Sequence, residues 1–279
     1  METRTPVEIL AYASDTGLAK TQRKFSSVLI LAFFAGIFIA FAAGVSTIAA
    51  YNLYANPEAY GLGRAVAGVL FGSGLMLVIL GGGELFTGSM LIVTTALDRR
   101  TTVKKMFLNW LLVYIGNLAG SILIAWMIYL SGLFNNSAGL LGGVTITIAA
   151  SKTSISFIAA FVLGVLCNLL VCFTVWTTYA AKDAAGKVLI IFFLILLFAT
   201  SGFEHSVANM YYIPAGIFAK LNPQWLVMSQ ASAQQIAGLN WLNFAVKNLI
   251  PVTLGNIIGG VLVGFLYWVS LGKNKRTCS

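Results

Sequence analysis

With 59% of its 279 residues hydrophobic, 9% charged and a mean hydropathy of +0.90, the chain is too oily for a water-soluble domain and suits one that crosses a bilayer several times. Its net charge of +9 carries less information than where the charges sit along the chain, and nucleic acid is not expected as a partner. One histidine and three cysteines (Cys167, Cys172 and Cys278) leave neither a disulfide framework nor a multi-histidine metal site, so no metal or cofactor is expected.

The first 27 residues lack the cationic start, short apolar core and small-residue cleavage site of a secretion signal. They read as mature sequence, with an amphipathic helix on the membrane surface. Residues 28–271 form the membrane domain and 272–279 a tail. Four stretches can cross about 30 Å of hydrocarbon as unbroken helices: Val28 to Tyr51, Met106 to Leu130, Ile155 to Ala181 and Leu249 to Leu271. Two more are interrupted. Ala65 to Leu80 breaks at "GGGELFTGS" and resumes from Met90 to Leu97; Val188 to Thr200 breaks at "SGFEHS" and resumes from Val207 to Phe218. Neither half of a broken span reads as long enough alone.

Of the 17 basic residues, all but Arg64, Lys152, Lys220 and Lys247 fall on one side of this six-span topology. The positive-inside rule therefore puts both termini in the cytoplasm, and the expected location is the cell inner (plasma) membrane. Three short matches recur in order. "AGIFIAF" at Ala35 pairs with "LGVLCNL" at Leu163, "GGELFTGSM" at Gly82 with "GFEHSVANM" at Gly202, and "GNLAGS" at Gly116 with "GNIIGG" at Gly255. Because each copy holds an odd number of spans, the second lies inverted relative to the first, with the second and fifth spans broken. The fold class is an all-α membrane protein with a three-plus-three inverted repeat.

Backbone that leaves the helix inside a membrane must be buried in protein or line a watery path. Both breaks therefore mark a pathway, with Gly82, Gly83 and Gly202 supplying unusual backbone conformations. His205 and Thr87 sit in the two breaks and should approach each other near the midplane. An ionisable group at that depth costs roughly 2.5–3.5 kcal/mol and by default marks the path. Glu84 and Glu204 hold matching places, and each can accept backbone N–H groups that its break exposes. Asn168 and Asn209 either back up the histidine or tie helix to helix.

The strings "FFAGIFIAF", "GGELFTGS", "GNLAGS", "GVLCNLLVCFTVW", "GFEHSVANMYYIPAG" and "PVTLGNIIGG" resemble, in order and across nearly the whole membrane portion, the formate/nitrite transporter family of small monovalent anion channels. The resemblance implies an aquaporin-like protomer in a homopentamer with one pore each, carrying formate or nitrite without a cofactor. It maps the central histidine to His205, the broken-loop threonine to Thr87 and a vestibule lysine to Lys152. It also implies an outer apolar constriction at Phe71, Leu75 and Phe198, and an inner one at Leu85 and Val171. Gly88-Ser89 departs from the glycine-asparagine of many members. The mechanism implied is that Lys152 attracts the anion, Thr87 hydrogen-bonds it and His205 relays a proton, with membrane lipid, protons and small anions as the partners. Hydrosulfide is the alternative substrate within the family, and a neutral-solute pore the alternative outside it, although no Asn-Pro-Ala motif occurs. An enzyme is not expected, since there is no HExxH and no nucleophile beside a base.

Overall fold

The computed structural model describes residues 3–275, with the backbone alone for the last three. Of the tail expected at 272–279, residues 276–279, Cys278 among them, lie outside the described residues. Helix α1 (Pro6–Gln22) opens on a Thr5/Glu8 capping box, whose hydrogen bonds from Thr5, backbone first, hold the Glu8 carboxyl below its ordinary range. Its side bearing Ile9, Leu10, Ala13 and Gly17 is buried against protein. The helix expected at the membrane surface is thus docked on the protein, its apolar side packed against other helices.

Helix α2 (Phe25–Tyr54) is the first span and starts three residues ahead of the expected Val28. Helix α3 (Tyr60–Gly81) ends where Gly82 turns left-handed, at φ 80°. The chain resumes as α4 (Phe86–Ser89), a 3-10 turn and α5 (Val93–Leu97), then crosses as α6 (Val103–Leu130). In the second half, α7 (Leu140–Lys152) precedes α8 (Phe157–Thr178) as α1 precedes α2. Helix α9 (Ala184–Ser201) stops at Gly202, again with φ 80°, and α10 (Ser206–Ala219) follows. The short α11 (Pro223–Val227), α12 (Ala233–Gly238) and α13 (Trp241–Asn243) lead through a π-helical turn, Phe244–Leu249, into α14 (Ile250–Lys275).

Among the described residues, six helices are long and apolar enough to cross a membrane. Two of them are α3 and α9, which the sequence reading had judged too short. The difference arises at their starts: α3 begins before Arg64 and α9 before Lys187, and a helix does not stop where its hydropathy falls. Of the three glycines expected to shape the breaks, Gly82 and Gly202 adopt the left-handed conformation and Gly83 does not. Gly83 is needed for space instead, as an added Cβ would sit 3.1 Å from Ala35 Cβ.

The two halves pack alike, α2 against α6 and α3 in one, α8 against α14 and α9 in the other. Small residues set that closeness. A Cβ on Gly120 would run into the Phe33 carbonyl and one on Gly259 into that of Val165. These contacts pair Phe33 with Val165, and backbone bonds from Glu84 and Glu204 pair Leu31 with Leu163. The sequence alignment of Ala35 with Leu163 is therefore one helical turn out of register. A four-residue slip keeps the same face of a helix, so apolar pattern alone does not detect it.

Gly120→Ala and Gly259→Ala are each expected to destabilise the protein by about 1–3 kcal/mol, read as a lower melting temperature in detergent. Gly61→Ala is the control, since nothing lies within 4 Å of its added methyl. Equal melting temperatures for all three would show that the glycines do not set the packing.

Candidate functional site

Each break exposes backbone groups, and one asparagine per half satisfies them. Asn117 Oδ1 accepts from Phe86 N at 2.9 Å, while its Nδ2 donates to Ala32 O at 2.7 Å and Glu84 O at 2.9 Å. Asn256 repeats this with Ser206 N at 2.9 Å, Gly164 O at 2.8 Å and Glu204 O at 3.0 Å. The sequence contained this signal in "GNLAGS" and "GNIIGG", which were read only as markers of the repeat.

The glutamates do something else. Their carboxylates do not accept the backbone N–H groups of the breaks; they pair with cations. Glu84 takes Lys20 Nζ at 2.6 Å together with Arg23 Nη1, and Glu204 takes Lys152 Nζ at 2.7 Å. Both carboxylates are buried, and an unpaired charge there would be prohibitive. Lys20 closes α1 as Lys152 closes α7, so the second lysine of the pair was hidden in the N-terminal segment.

Asn209 Nδ2 donates to Glu204 Oε2 at 2.6 Å and to Asn248 Oδ1 at 2.8 Å; Asn248 in turn donates to Lys152 O at 2.9 Å. The π-helical turn carries Asn248 into this network, which sequence reading missed because such a turn leaves no clear periodic trace. In the first half Asn109 takes the matching part, donating to Lys20 O at 3.4 Å. Its partner position holds Ser89, whose hydroxyl bonds Leu85 O at 3.0 Å instead. The shorter side chain leaves Asn109 Oδ1 buried without a hydrogen bond.

The breaks meet at one contact, Thr87 Oγ1 to His205 Nε2 at 2.9 Å, with both residues buried. His205 is the N-cap of α10, and its Nδ1 accepts from Ala208 N at 3.0 Å. A nitrogen that accepts carries no proton, so this partner assigns the ring proton of the neutral imidazole to Nε2. Nε2–H then donates to Thr87, which leaves the threonine hydroxyl proton free to donate elsewhere. Asn168 does not reach the ring; its Nδ2 holds Asn256 O at 2.6 Å and Thr87 O at 3.3 Å. In the register of the repeat His205 matches Leu85, and Thr87 matches Val207.

Two cavities approach this contact from opposite faces. One, of about 290 Å³, reaches His205 and is lined by Arg64, Lys152, Phe71 and Phe198. The other, of about 190 Å³, opens beside α1 and is lined by Lys20, Arg23, Lys187, Leu75 and Leu85. The Phe71 and Phe198 rings lie 5.9 Å apart, and Phe198 is 5.9 Å from the His205 ring. Leu75, expected with those phenylalanines, borders the other cavity, one helical turn along α3 from Phe71. Val171 lines neither cavity; Val175, one turn along α8, borders the second. No group of three or more His, Cys, Asp or Glu able to hold a metal occurs among the described residues.

Two cation-lined cavities on either side of a buried polar contact between interrupted helices mark a multi-pass membrane transport protein. The formate/nitrite transporter model matches residues 7–269, and the chain belongs to that family. It is 36% identical over 267 residues to formate channel FocA of Escherichia coli strain K12, covering 95% of this chain and 93% of that one. It is 34% identical over 285 residues to a probable formate transporter of Methanothermobacter thermautotrophicus, covering 97% and 98%. A solved pentameric formate channel with formate bound superposes with a TM-score of 0.78 at 37% identity, over 88% of this chain and 96% of that one. A solved FNT family ion channel gives 0.79 at 25% identity, over 94% and 98%.

Ser89→Asn is expected to stabilise the protein by about 1 kcal/mol, because it offers the buried Asn109 Oδ1 a donor. Thermal unfolding checks this, with Asn109→Ala costing more in the Ser89→Asn background than in the parent. A lower melting temperature without that coupling would mean the two halves are not interchangeable here.

Proposed function

We propose that this chain is a channel for small monovalent anions, formate foremost, that the anion crosses as its neutral acid, and that His205 relays the proton. The observation that carries the reading is the Thr87–His205 bond between two cation-lined cavities. Homopentameric assembly with one pore per protomer, a plasma membrane location and cytoplasmic termini belong to the same proposal. Likeness to a pentameric formate channel supports the first, and the basic-residue bias supports the others.

Several kcal/mol oppose a bare carboxylate at the apolar rings formed by Phe71, Phe198, Leu75 and Leu85. Forming the neutral acid at pH 7 from an acid of pKa near 4 costs about 4 kcal/mol, so protonation competes well. The free hydroxyl proton of Thr87 points the anion's oxygen toward the pair. A second proton on His205 Nδ1 displaces the Ala208 N–H and so uncaps α10; passing the Nε2 proton to the anion leaves a neutral ring with its proton on Nδ1, and the cap returns once that proton has moved to Nε2. The imidazole ends as it began, and the acid leaves neutral.

His205→Asn tests this, because asparagine is among the best N-cap residues and keeps α10 closed without exchanging a proton near neutrality. Current and internal pH are recorded together in formate-loaded liposomes from about pH 5 to 8, the range over which a histidine changes charge. The wild-type profile should vary with pH and the variant's should be flat. A wild-type profile in a folded His205→Asn protein removes the histidine from the mechanism.

Lys152 needs a paired test, since removing it alone strands a buried Glu204 carboxylate at a cost of about 3–5 kcal/mol. The double variant Lys152→Gln/Glu204→Gln is expected to fold better than Lys152→Gln and still show reduced flux at low formate. Lys247→Gln, at an exposed position, should leave flux unchanged. Equal losses from the double variant and Lys247→Gln would indicate a general surface potential.

A further inference from the structure

The 290 Å³ cavity holds two cations that present themselves differently to an arriving anion. Lys152 is engaged at 2.7 Å with the buried carboxylate of Glu204, and from the cavity mouth the two charges largely cancel. Arg64 has no carboxylate partner among the described residues. Its one hydrogen bond runs from Nη2 to Ala199 O at 2.7 Å, a neutral carbonyl in the last turn of α9. Five N–H donors in a fixed fork serve a guanidinium, so most of this one has no protein acceptor. The group is half-buried and lies against Gly202, where an added Cβ would come 2.8 Å from Nη2. The left-handed glycine that ends α9 therefore also makes room for the guanidinium.

The opposite cavity has a counterpart of another shape. Lys20 and Arg23 in its lining are engaged by Glu84, which leaves Lys187, on the helix that matches α3 in the second copy, as the cation it offers. An ammonium is a compact charge that attracts any small anion. A planar fork favours anions that present two oxygens in one plane, which carboxylates and nitrite do and single-centre anions such as hydrosulfide or halides do not. The two mouths of the pathway thus differ in the kind of cation they offer.

We propose that Arg64 is a specificity-determining residue, its guanidinium forming a receiving subsite for a bent two-oxygen anion in the cavity before Lys152 and the phenylalanine ring are reached. The proposal rests on the anion-channel reading above and adds to it a residue and a shape preference. Arg64 then holds the anion, and Lys152, although paired with Glu204, draws it further in.

Full-length protein in liposomes is assayed for formate uptake at graded concentrations, as wild type, Arg64→Lys and Arg64→Gln. The lysine keeps the charge and a donor for Ala199 O but loses the fork. Arg64→Lys is expected to raise the formate KM about five- to tenfold with the maximal rate little changed, the loss of roughly one hydrogen bond. Nitrite should weaken as a competitor by a similar factor. A formate KM in Arg64→Lys equal to the wild type's shows that charge alone matters and overturns the proposal. A lower maximal rate at unchanged KM also overturns it, as it marks a residue that only caps α9. If Arg64→Gln fails to assemble, Arg64→Lys decides by itself. Wild-type protein that carries no formate defeats the channel reading instead, so the two failures are read apart.

Discussion

A helix that stops inside a bilayer exposes N–H and C=O groups that hydrocarbon cannot satisfy, and everything else in this protein depends on how that is solved. Asn117 and Asn256 solve it with one amide each. The side chain of each accepts one backbone N–H and donates to two carbonyls, using the full donor capacity of an amide. The three groups bonded by Asn117 come from α2, the loop and α4, and the asparagine itself stands on α6. One residue therefore pins all three spans of a half at a single depth. That works only if α6 approaches α2 closely, which Gly116 and Gly120 on either side of Asn117 permit. Gly255 and Gly259 do the same around Asn256.

The same symmetry sets the charge balance. Each break carries a buried glutamate, and each is answered by a lysine at the end of the helix preceding its half, Lys20 on α1 and Lys152 on α7. Docking of α1 is thus part of the membrane domain's electrostatics, since without Lys20 and Arg23 the Glu84 carboxylate would be a bare charge beside the pathway. The two copies part company at the Thr87–His205 contact. Leu85 caps α4 with no side-chain hydrogen bond while His205 caps α10 with one, and Thr87 stands where the other copy has Val207. Shared residues build the frame, and divergent ones build the contact.

Spans, breaks and inversion were legible because they rest on hydropathy, glycine and the order of short repeats, all local properties. The partners of Glu84 and Glu204 were not. Lys20 is separated from Glu84 by α2 and α3, and Lys152 from Glu204 by α8 and α9, so no spacing rule joins them. Asn117 and Asn256 were visible as letters of a repeat but not as loop ligands, since an asparagine beside glycines has many uses. Leu75 and Phe71 lie four residues apart on α3, and sequence gives no measure of which cavity each borders. The one-turn slip in aligning the first span has the same origin. Periodicity reports the face of a helix and is blind to depth.

Depth decides the energetics of permeation. On the channel reading proposed above, a solute entering from either cavity meets cations first, then apolar side chains, and at the centre the Thr87–His205 pair. A carboxylate in water has about four lone-pair sites to satisfy. Among the side chains at the pair, the free donor is the threonine hydroxyl, because Nε2–H is already directed at Thr87 Oγ1. An ionised carboxylate resting there exchanges most of its hydration for one hydrogen bond. A neutral acid needs far less, and its own O–H can serve as a donor. On the function proposed above, the scarcity of donors at the centre favours the neutral form, while the cations at both mouths favour the charged one. A solute that fits both must change its protonation state between mouth and midpoint, which a weak acid can do and an ion with no basic site cannot.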